Sequence, residues 1–189
     1  MLNFSDSATR FSFETGSSTV PTSIIVRARH CYSVIDEQRD VFESHKHHIF
    51  SVAYYMTGNE MEAENILQST FIRAFRRQPN PSPRPSIQQL DRCLMDELRS
   101  RLSLAATPAM QPQGVGLGGR NIRRTDLEEA LWELPARERL CFLLQDVEGY
   151  SADRIAGLLE ITESEVKRTV LSARLRIRSL LVAQRLTES

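Results

Sequence analysis

Apolar side chains recur at three- and four-residue intervals in several stretches of the chain, which is the spacing of one face of an α-helix. The clearest stretch covers residues 61–77, where they form a single apolar stripe. Residues 41–56 show the same pattern and stop before Gly58 and Asn59, residue types that suit the end of a helix. Leucine at every fourth position predicts a third helix over residues 87–104.

The C-terminal part of the chain shows four further helical stretches. Thr125 and Glu128 have the spacing of a capping box and predict the start of the first. Pro135 suits the first position of the next helix. A short helix over 151–159 and a longer one over 163–186 follow, separated by a tight connection. Because no alternating strand pattern of useful length accompanies these stretches, we predict an all-α protein.

Two stretches without apolar periodicity divide the chain. Residues 1–23 are crowded with serine and threonine, which predicts a loosely held, flexible tail. Residues 107–120 contain closely spaced proline and glycine and no acidic residue, which is typical of a flexible linker. The chain has 189 residues, so the remainder is enough for two small helical domains, over 24–106 and 121–189.

The composition excludes several classes of protein. Lysine and arginine together number 24, as do aspartate and glutamate, so no net charge points to a nucleic acid or a membrane surface. The three cysteines are far apart and form no CxxC pair, which argues against a disulfide framework and favours a reducing compartment. No apolar run approaches the roughly 20 residues of a membrane span. We expect a cytoplasmic protein without membrane insertion.

A local basic patch lies near the C-terminal end of the sequence, although the net charge of the whole chain is zero. The short helix over 151–159, its tight connection and the long final helix have the proportions of a helix-turn-helix, whose second helix enters the major groove of DNA. Residues 166–187 include six basic residues and no acidic one. The predicted DNA-binding residues on the outward side are Ser164, Glu165, Lys167, Arg168, Leu171 and Arg174.

The same charges have a simpler interpretation. Basic residues near the C-terminus of a helix complement the helix dipole, and a charged stripe is usually a solvated face. Charge alone does not separate the two interpretations. The position of the patch on the second helix of a helix-turn-helix favours DNA binding.

The C-terminal residues also resemble a known family. The chain reads Leu-Pro-Ala-Arg-Glu-Arg over 134–139 and Asp-Val-Glu-Gly-Tyr over 146–150, and a helix-turn-helix follows. This combination, over about sixty residues, is similar to promoter-binding domain four of the extracytoplasmic-function sigma factors. The resemblance implies that this domain reads the minus-thirty-five element of a promoter in duplex DNA.

The first segment resembles domain two of the same family. Residues 50–59 are similar to its first core helix, and residues 62–75 to the helix that docks on the clamp of RNA polymerase. The residues that the resemblance assigns to polymerase binding are Glu62, Glu64, Asn65 and Gln68. Acidic residues in a first turn also stabilise their own helix, so their charge alone does not establish this role.

The two resemblances imply a set of partners and a function. The chain is identified as an RNA polymerase sigma factor of the extracytoplasmic-function type, which directs core polymerase to promoters for transcription initiation. Core RNA polymerase, through its clamp and flap regions, and promoter DNA are then the expected partners. An anti-sigma factor is a further partner that the resemblance allows.

The helix over 87–101 departs from the family pattern. It contains no aromatic residue, whereas unstacked bases of a melted minus-ten element need flat side chains to stack on. One alternative is therefore a degenerate, sigma-like regulator that binds polymerase without melting promoters. Another is a stand-alone helix-turn-helix regulator whose first segment binds a ligand or dimerises.

No residue set suited to catalysis or metal binding emerges from the sequence. His45, His47 and His48 lack the spacing that pairs metal ligands on one helix face, and we interpret them as solvated. The glycines of the linker follow no strand and precede no P-loop lysine. Cys141 is flanked by apolar residues and is expected in the core. We expect no cofactor, no metal and no enzymatic activity.

Overall fold

The structure, a computed structural model, describes residues 22–76, 85–110 and 122–186. This part of the chain contains seven α-helices, one π-helical segment and no strand, which confirms the all-α prediction. The helices are α1 (Thr22–Thr57), α2 (Glu60–Arg76), α3 (Ile87–Arg101), α4 (Arg124–Trp132), α5 (Ala136–Phe142), α6 (Ala152–Leu159) and α7 (Glu163–Leu186). The chain divides into two compact units, Met1–Ile35 and Asp36–Ser189, and the packing described below lies within the second.

The three N-terminal helices form where the apolar pattern predicts them, with shifted ends. The stretch 41–56 is the second half of the longer α1, and α2 differs from its prediction by one residue at each end. The helix α3 starts after a capping box of Ser86 and Gln89, whose amides and side chains exchange hydrogen bonds of 2.9 and 3.3 Å. It ends before residue 104 because Leu102 adopts an extended conformation.

The turn between α1 and α2 is built by two adjacent residues. Gly58 ends α1 with a φ of 67°, the left-handed conformation that the sequence predicts there. Asn59 does not continue this cap but begins α2, since its Oδ1 accepts hydrogen bonds from the amides of Met61 at 2.9 Å and Glu62 at 3.2 Å. The indole of Trp132, at the end of α4, lies beside Gly58. This turn therefore also positions α4.

The predicted capping box at the start of α4 is wrong. The helix begins at Arg124, so Thr125 lies inside its first turn. The residue before the helix is Arg123, two positions before Thr125, and its amide donates to the carboxylate of Asp126 at 3.2 Å. Glu128 instead accepts a hydrogen bond from Arg124 Nε at 2.8 Å. Asp126 and Glu128 both lie near the start of this segment, and the apolar pattern does not show which of them accepts the hydrogen bond that caps the helix.

A π-helical segment, Leu143–Val147, continues α5 and was not predicted. Pro135 directly precedes α5, one residue before its predicted position. Wider hydrogen bonds close the segment, from the amide of Glu148 to the carbonyl of Leu143 at 2.9 Å and from the amide of Tyr150 to that of Leu144 at 2.8 Å. The segment carries Asp146 and leads directly to Glu148, two acids that recur below.

One hydrophobic core contains side chains from both predicted domains. The N-terminal helices contribute Ile49, Val52, Met56, Ile66, Leu90, Leu94 and Leu98. The C-terminal helices contribute Leu140, Leu143, Leu144, Ile155, Val166 and Val170. A smaller cluster joins α4 to α7 through Leu131, Leu134, Ala173, Ile177 and Leu181. In the described residues, the two segments therefore pack against each other.

Several predicted segments lie partly outside the described residues. These are the tail up to residue 21, the proline-rich stretch over 77–84 and the linker from residue 111. The first linker residues, 107–110, run without regular structure and reach α7, where the amide of Met110 donates to Ser172 Oγ at 2.8 Å. The division into two domains with a flexible linker stays a prediction. No helix among the described residues is long and apolar enough to cross a membrane.

We expect Gly58→Ala to lower the free energy of unfolding by about 1 kcal/mol, since an L-residue pays a conformational penalty at positive φ. Gly157→Ala is the matched control. It lies inside α6 with nothing within 4 Å of an added Cβ, so it should raise the free energy of unfolding by about 0.5–1 kcal/mol. Urea denaturation measures both, and equal changes in the two variants would contradict the assignment of strain to Gly58.

Candidate nucleic-acid interface

A tight turn joins α6 to α7 and fixes the direction of α7. Glu160 occupies the left-handed region with φ 59°, and the amide of Ile161 donates to the carbonyl of Ala156 at 3.1 Å. The capping box predicted next is confirmed: the amide of Thr162 donates to Glu165 Oε2 at 2.9 Å, and the amide of Glu165 donates to Thr162 Oγ1 at 3.2 Å. The predicted helix-turn-helix is therefore present.

The helix α7 has a buried and an exposed face. The buried face carries Val166, Val170, Ala173 and Ile177, as the spacing predicts. The outward side carries the predicted DNA-binding residues, of which Ser164, Lys167, Arg168, Leu171 and Arg174 are exposed and Glu165 is half-buried. These six residues follow one side of the helix over about three turns, so they are placed to meet a groove together. Their role in DNA contact stays a prediction.

The basic patch on α7 is less free than the sequence suggests. Asp146 precedes the patch in the sequence, and its carboxylate accepts two hydrogen bonds from the guanidinium of Arg174, at 2.8 and 2.6 Å. This bidentate pair raises the pKa of Arg174, mainly through the side-chain hydrogen bonds. Lys167 pairs with Glu163 one turn earlier, at 2.7 Å. Among the described residues, Arg168 has no salt-bridge partner, so it is the most available charge of the predicted set.

A buried carboxylate, that of Glu138 in α5, ties the linker to α7. It is 2% exposed and accepts hydrogen bonds from Thr107 Oγ1 at 2.8 Å and Ser172 Oγ at 3.1 Å. Its second oxygen pairs with Arg176 Nε at 2.9 Å, and Arg176 also donates to the carbonyl of Pro108. A cavity of about 30 Å³ beside this network separates the linker from Arg168. Arg176 therefore serves the interior rather than the basic surface.

Sequence reasoning missed Glu138, although a signal was available. It lies three residues before Cys141, which is buried, so the two side chains share the buried face of α5. An acid at such a position needs partners of opposite charge or hydroxyl groups. Two of its partners lie more than thirty residues away in the chain, and only the fold brings them together.

The predicted polymerase-binding residues lie on the exposed side of α2. They are Glu62, Glu64, Asn65 and Gln68, and all four are exposed. Two large apolar side chains on the same helix are also exposed, Met61 by 75% and Ile72 by 50%. Met61, Asn65, Gln68 and Ile72 recur at helical spacing and form one stripe. The apolar ends of this stripe were not part of the prediction, and the role of the stripe in polymerase binding stays a prediction.

The interpretation of the three histidines as solvated is wrong for His48. His47 is exposed, but the side chain of His48 is only 17% exposed. Its Nδ1 lies 2.6 Å from Glu148 Oε2, and its Nε2 lies 2.9 Å from the Tyr150 hydroxyl. The partners are about a hundred residues away, so no local spacing indicated them. No group of three or more metal-binding side chains occurs in the part of the chain that the structure describes.

The prediction that Cys141 lies in the core is confirmed. Its side chain is fully buried, and burial raises the pKa of its thiol to about 12. A thiol with such a pKa stays protonated at neutral pH and is a poor nucleophile. Cys93 is buried as well.

Comparisons with known proteins agree with both parts of this arrangement. Residues 124–177, which include the helix-turn-helix, match the family described as Sigma-70, region 4. Residues 41–87, which include α2 and end at the first residue of α3, match Sigma-70 region 2. The two matches occur in this order along the chain, on either side of the linker.

Two individual proteins are also similar to this chain. The ECF RNA polymerase sigma factor SigE of Mycolicibacterium smegmatis is 28% identical over 155 residues, an alignment that covers 75% of this chain and 60% of that relative. The chain thus spans about 60% of the length of the relative that it matches. A solved structure of the sigma factor RpoE in complex with the anti-sigma factor NepR, from Bartonella quintana, has a similar fold. Its TM-score is 0.56 at 21% identity, and the match covers 77% of this chain and 94% of that chain.

We expect Glu138→Gln to lower the free energy of unfolding by about 2 kcal/mol, because the ion pair with Arg176 is lost and the hydrogen bonds from the two hydroxyl groups are weakened. Glu133→Gln, which removes the same charge from an exposed position nearby, should change it by less than about 0.5 kcal/mol. Urea denaturation of the two variants makes the comparison. Similar values for both would show that the Glu138 network adds little to stability.

Proposed function

The chain belongs to the sigma-70 superfamily, as a sigma factor of the extracytoplasmic-function type, and we propose that it directs core RNA polymerase to promoters. The observation that carries this proposal is the pairing of a region 2 match, with its exposed α2 surface, and a region 4 match that contains a complete helix-turn-helix. The chain would act as an initiation factor without a catalytic step of its own. It would work in the cytoplasm, where polymerase meets the promoter.

The exposed face of α7 is the proposed reader of the minus-thirty-five element. Lys167 and Arg168 lie in its first turns, at the end of the helix that enters the major groove in a helix-turn-helix. Ser164 and Glu165 lie nearest to the N-terminus and are proposed to face base edges, although Glu165 also completes the capping box. Arg174 can reach a phosphate only after it leaves Asp146, so we propose a smaller contribution from it.

The exposed stripe of α2 is the proposed contact with the polymerase clamp. Glu62 and Glu64 would meet a basic partner surface, since charge complementarity fixes orientation and speeds association. Asn65 and Gln68 add hydrogen-bonding groups, and Met61 supplies apolar area at one end. Region 4 would contact the polymerase flap. An anti-sigma factor is proposed as a further partner, as the related fold of RpoE has been solved with NepR.

A second candidate function is a polymerase-binding regulator that does not melt promoters. A specific observation favours it: α3 contains no aromatic residue, and the region 2 match ends where α3 begins. Bases that leave the stack need aromatic partners, and α3 offers none to the minus-ten element. A stand-alone helix-turn-helix regulator is less well supported, because it gives no role to the region 2 match.

We expect Arg168→Ala to weaken binding to a promoter duplex and to reduce the salt slope of the binding constant by about 1, the loss of one phosphate contact. Arg174→Ala should reduce the slope by less, because Asp146 already holds its guanidinium. Arg39→Ala removes an exposed charge from α1 and should leave the slope unchanged. Fluorescence anisotropy over a range of salt concentrations measures all three. An unchanged slope for Arg168→Ala would contradict the placement of the duplex on α7.

We expect the full chain to support promoter-dependent transcription with core polymerase in vitro. Glu64→Lys should weaken core binding about tenfold or more through charge repulsion, and Asp40→Lys, on the exposed side of α1, should have little effect. Core binding without transcripts would favour the regulator that does not melt promoters. Failure to bind core polymerase at all would favour the stand-alone regulator.

A further inference from the structure

Five polar side chains form a cluster between the two sigma regions, which we call the latch cluster: His48, Asp91, Glu148, Tyr150 and Arg154. His48 contributes from α1 and Asp91 from α3, on the region 2 side. Glu148 and Tyr150 follow the π-helical segment, and Arg154 lies in α6, on the region 4 side. The contacts among these five side chains therefore join region 2 to region 4, or orient a side chain that makes such a contact.

The hydrogen bonds of the cluster are short and mutually consistent. His48 Nδ1 lies 2.6 Å from Glu148 Oε2, and His48 Nε2 lies 2.9 Å from the Tyr150 hydroxyl. That hydroxyl donates to Asp91 Oδ1 at 3.0 Å. The guanidinium of Arg154 donates to Asp91 Oδ2 at 2.5 Å and lies over the Tyr150 ring, 3.8 Å from its centre.

Counting the protons in the cluster identifies its charge state. A carboxylate only accepts hydrogen bonds, so the contact with Glu148 requires a proton on His48 Nδ1. The single hydroxyl proton of Tyr150 goes to Asp91, so the contact with Tyr150 requires a proton on Nε2 as well. Only the imidazolium satisfies both contacts. Two cations, on His48 and Arg154, then balance the two carboxylates, and removal of the His48 proton leaves one negative charge in excess.

The cluster lies in a sheltered position where such a balance matters. The side chain of Asp91 is 2% exposed, that of His48 17% and that of Glu148 19%. The groups that face His48 from the packed elements are Asp91 of α3 and Glu148 and Tyr150 of the loop before α6. Arg154 acts on it through Asp91. Burial alone would lower the pKa of His48, but the hydrogen bonds to Asp91 and Glu148 outweigh burial and raise it.

The latch cluster holds α6 against α3. Arg99 strengthens this contact, since its guanidinium donates to the carbonyl of Leu158 at 2.9 Å. A groove beside Asp91 and Arg154 also brings Arg92 and Asp153 to the same boundary. The short helix of the helix-turn-helix thus covers one face of α3, the helix at which a sigma factor would meet the minus-ten element.

This arrangement is too short to engage a whole promoter. By their names, the minus-ten and minus-thirty-five elements lie about 25 base pairs apart, or about 85 Å of duplex at about 3.4 Å per pair. In the structure, α3 and α6 are joined by hydrogen bonds. The two regions must therefore separate before one chain can hold both elements.

We infer that the latch cluster, together with the shared hydrophobic core, keeps the chain in a closed, promoter-incompetent state, and that loss of the proton from His48 shifts the equilibrium toward separation of region 4 from region 2. The role of the two DNA elements in this inference rests on the proposed function, whereas the latch itself rests on the contacts. In the neutral form, His48 Nε2 and Asp91 compete for the one hydroxyl proton of Tyr150. One hydrogen bond and the charge balance are lost together.

The direction of the pH effect follows from the raised pKa of His48. Its stabilising contribution is complete below its ordinary pKa of about 6.5 and is lost as the pH rises through the higher value of the closed state. Tyr150 keeps its proton over this range because burial raises its pKa further. Asp91, whose pKa is lowered by its hydrogen bonds against the effect of burial, stays ionised. We expect the closed fraction to be highest near pH 6 and to fall toward pH 9.

The test is a distance measurement on the full chain. Spin labels are placed at exposed positions of α2 and α7 through Glu60→Cys and Arg178→Cys, in a Cys31→Ser background, and pulsed electron paramagnetic resonance gives the distance distribution at pH 6 and pH 9. We expect one short distance at pH 6 and a longer population at pH 9. His48→Gln and Arg154→Ala should raise the ratio of open to closed chains about tenfold or more at pH 6. His47→Gln removes a neighbouring exposed histidine and should match the parent chain.

Circular dichroism confirms that each variant keeps its helix content, and the pH comparison of the parent chain decides the question if a variant does not fold. Distances that stay short in both latch variants and at both pH values would overturn the inference, as would a parent chain that is already open at pH 6. Polymerase takes no part in this measurement. A failure here is therefore distinct from a failure of the transcription assay.

Discussion

The guanidinium of Arg139 is the contact on which the arrangement of the helices depends. It donates hydrogen bonds to the carbonyl of Met56 at the end of α1, and to the carbonyls of Trp132 and Leu134 at the end of α4. Helix ends leave such carbonyls without partners, and their partial negative charge favours a cation. One side chain of α5 thus caps the C-terminal ends of α1 and α4, which come from different parts of the chain. The apolar faces of short helices can then share one core, which none of them could form alone.

The helices themselves follow from the sequence, because their apolar stripes and most of their caps are local features. The box of Thr162 and Glu165 and the left-handed Gly58 are local as well, and both are confirmed. The start of α4 was misplaced, since Asp126 and Glu128 are equally plausible partners in the sequence. The π-helical segment has no periodic signature that distinguishes it from an α-helix. The packing of the N-terminal helices on the C-terminal helices depends on contacts between residues that are distant in the sequence. A local sequence pattern cannot reveal such contacts.

The sequence predicts which residues lie on the outward face of α7. It does not predict which of their charges are free to bind a partner. Arg174 and Arg176 belong to the basic run in the sequence, yet each is bound to an acid from another element. The same limit applies to His48, which appears as one of three similar histidines until the fold places it between two carboxylates. Charge counted along a chain describes composition, whereas the fold decides which charges remain for a partner.

The π-helical segment Leu143–Val147 adds one residue to a helical turn, and this extra residue affects contacts with two other helices. Asp146 within it meets Arg174, and Glu148 just after it meets His48. Deleting a single residue here would close the wide turn into ordinary α-helix, and the residues of the segment would take new positions around the helix axis. Asp146 and Glu148 would then lose their present alignment with Arg174 and His48. The length of this segment therefore affects two ion pairs, one that binds Arg174 of α7 and one that joins the two regions through His48. Insertions and deletions in this short stretch should be far less tolerated than substitutions.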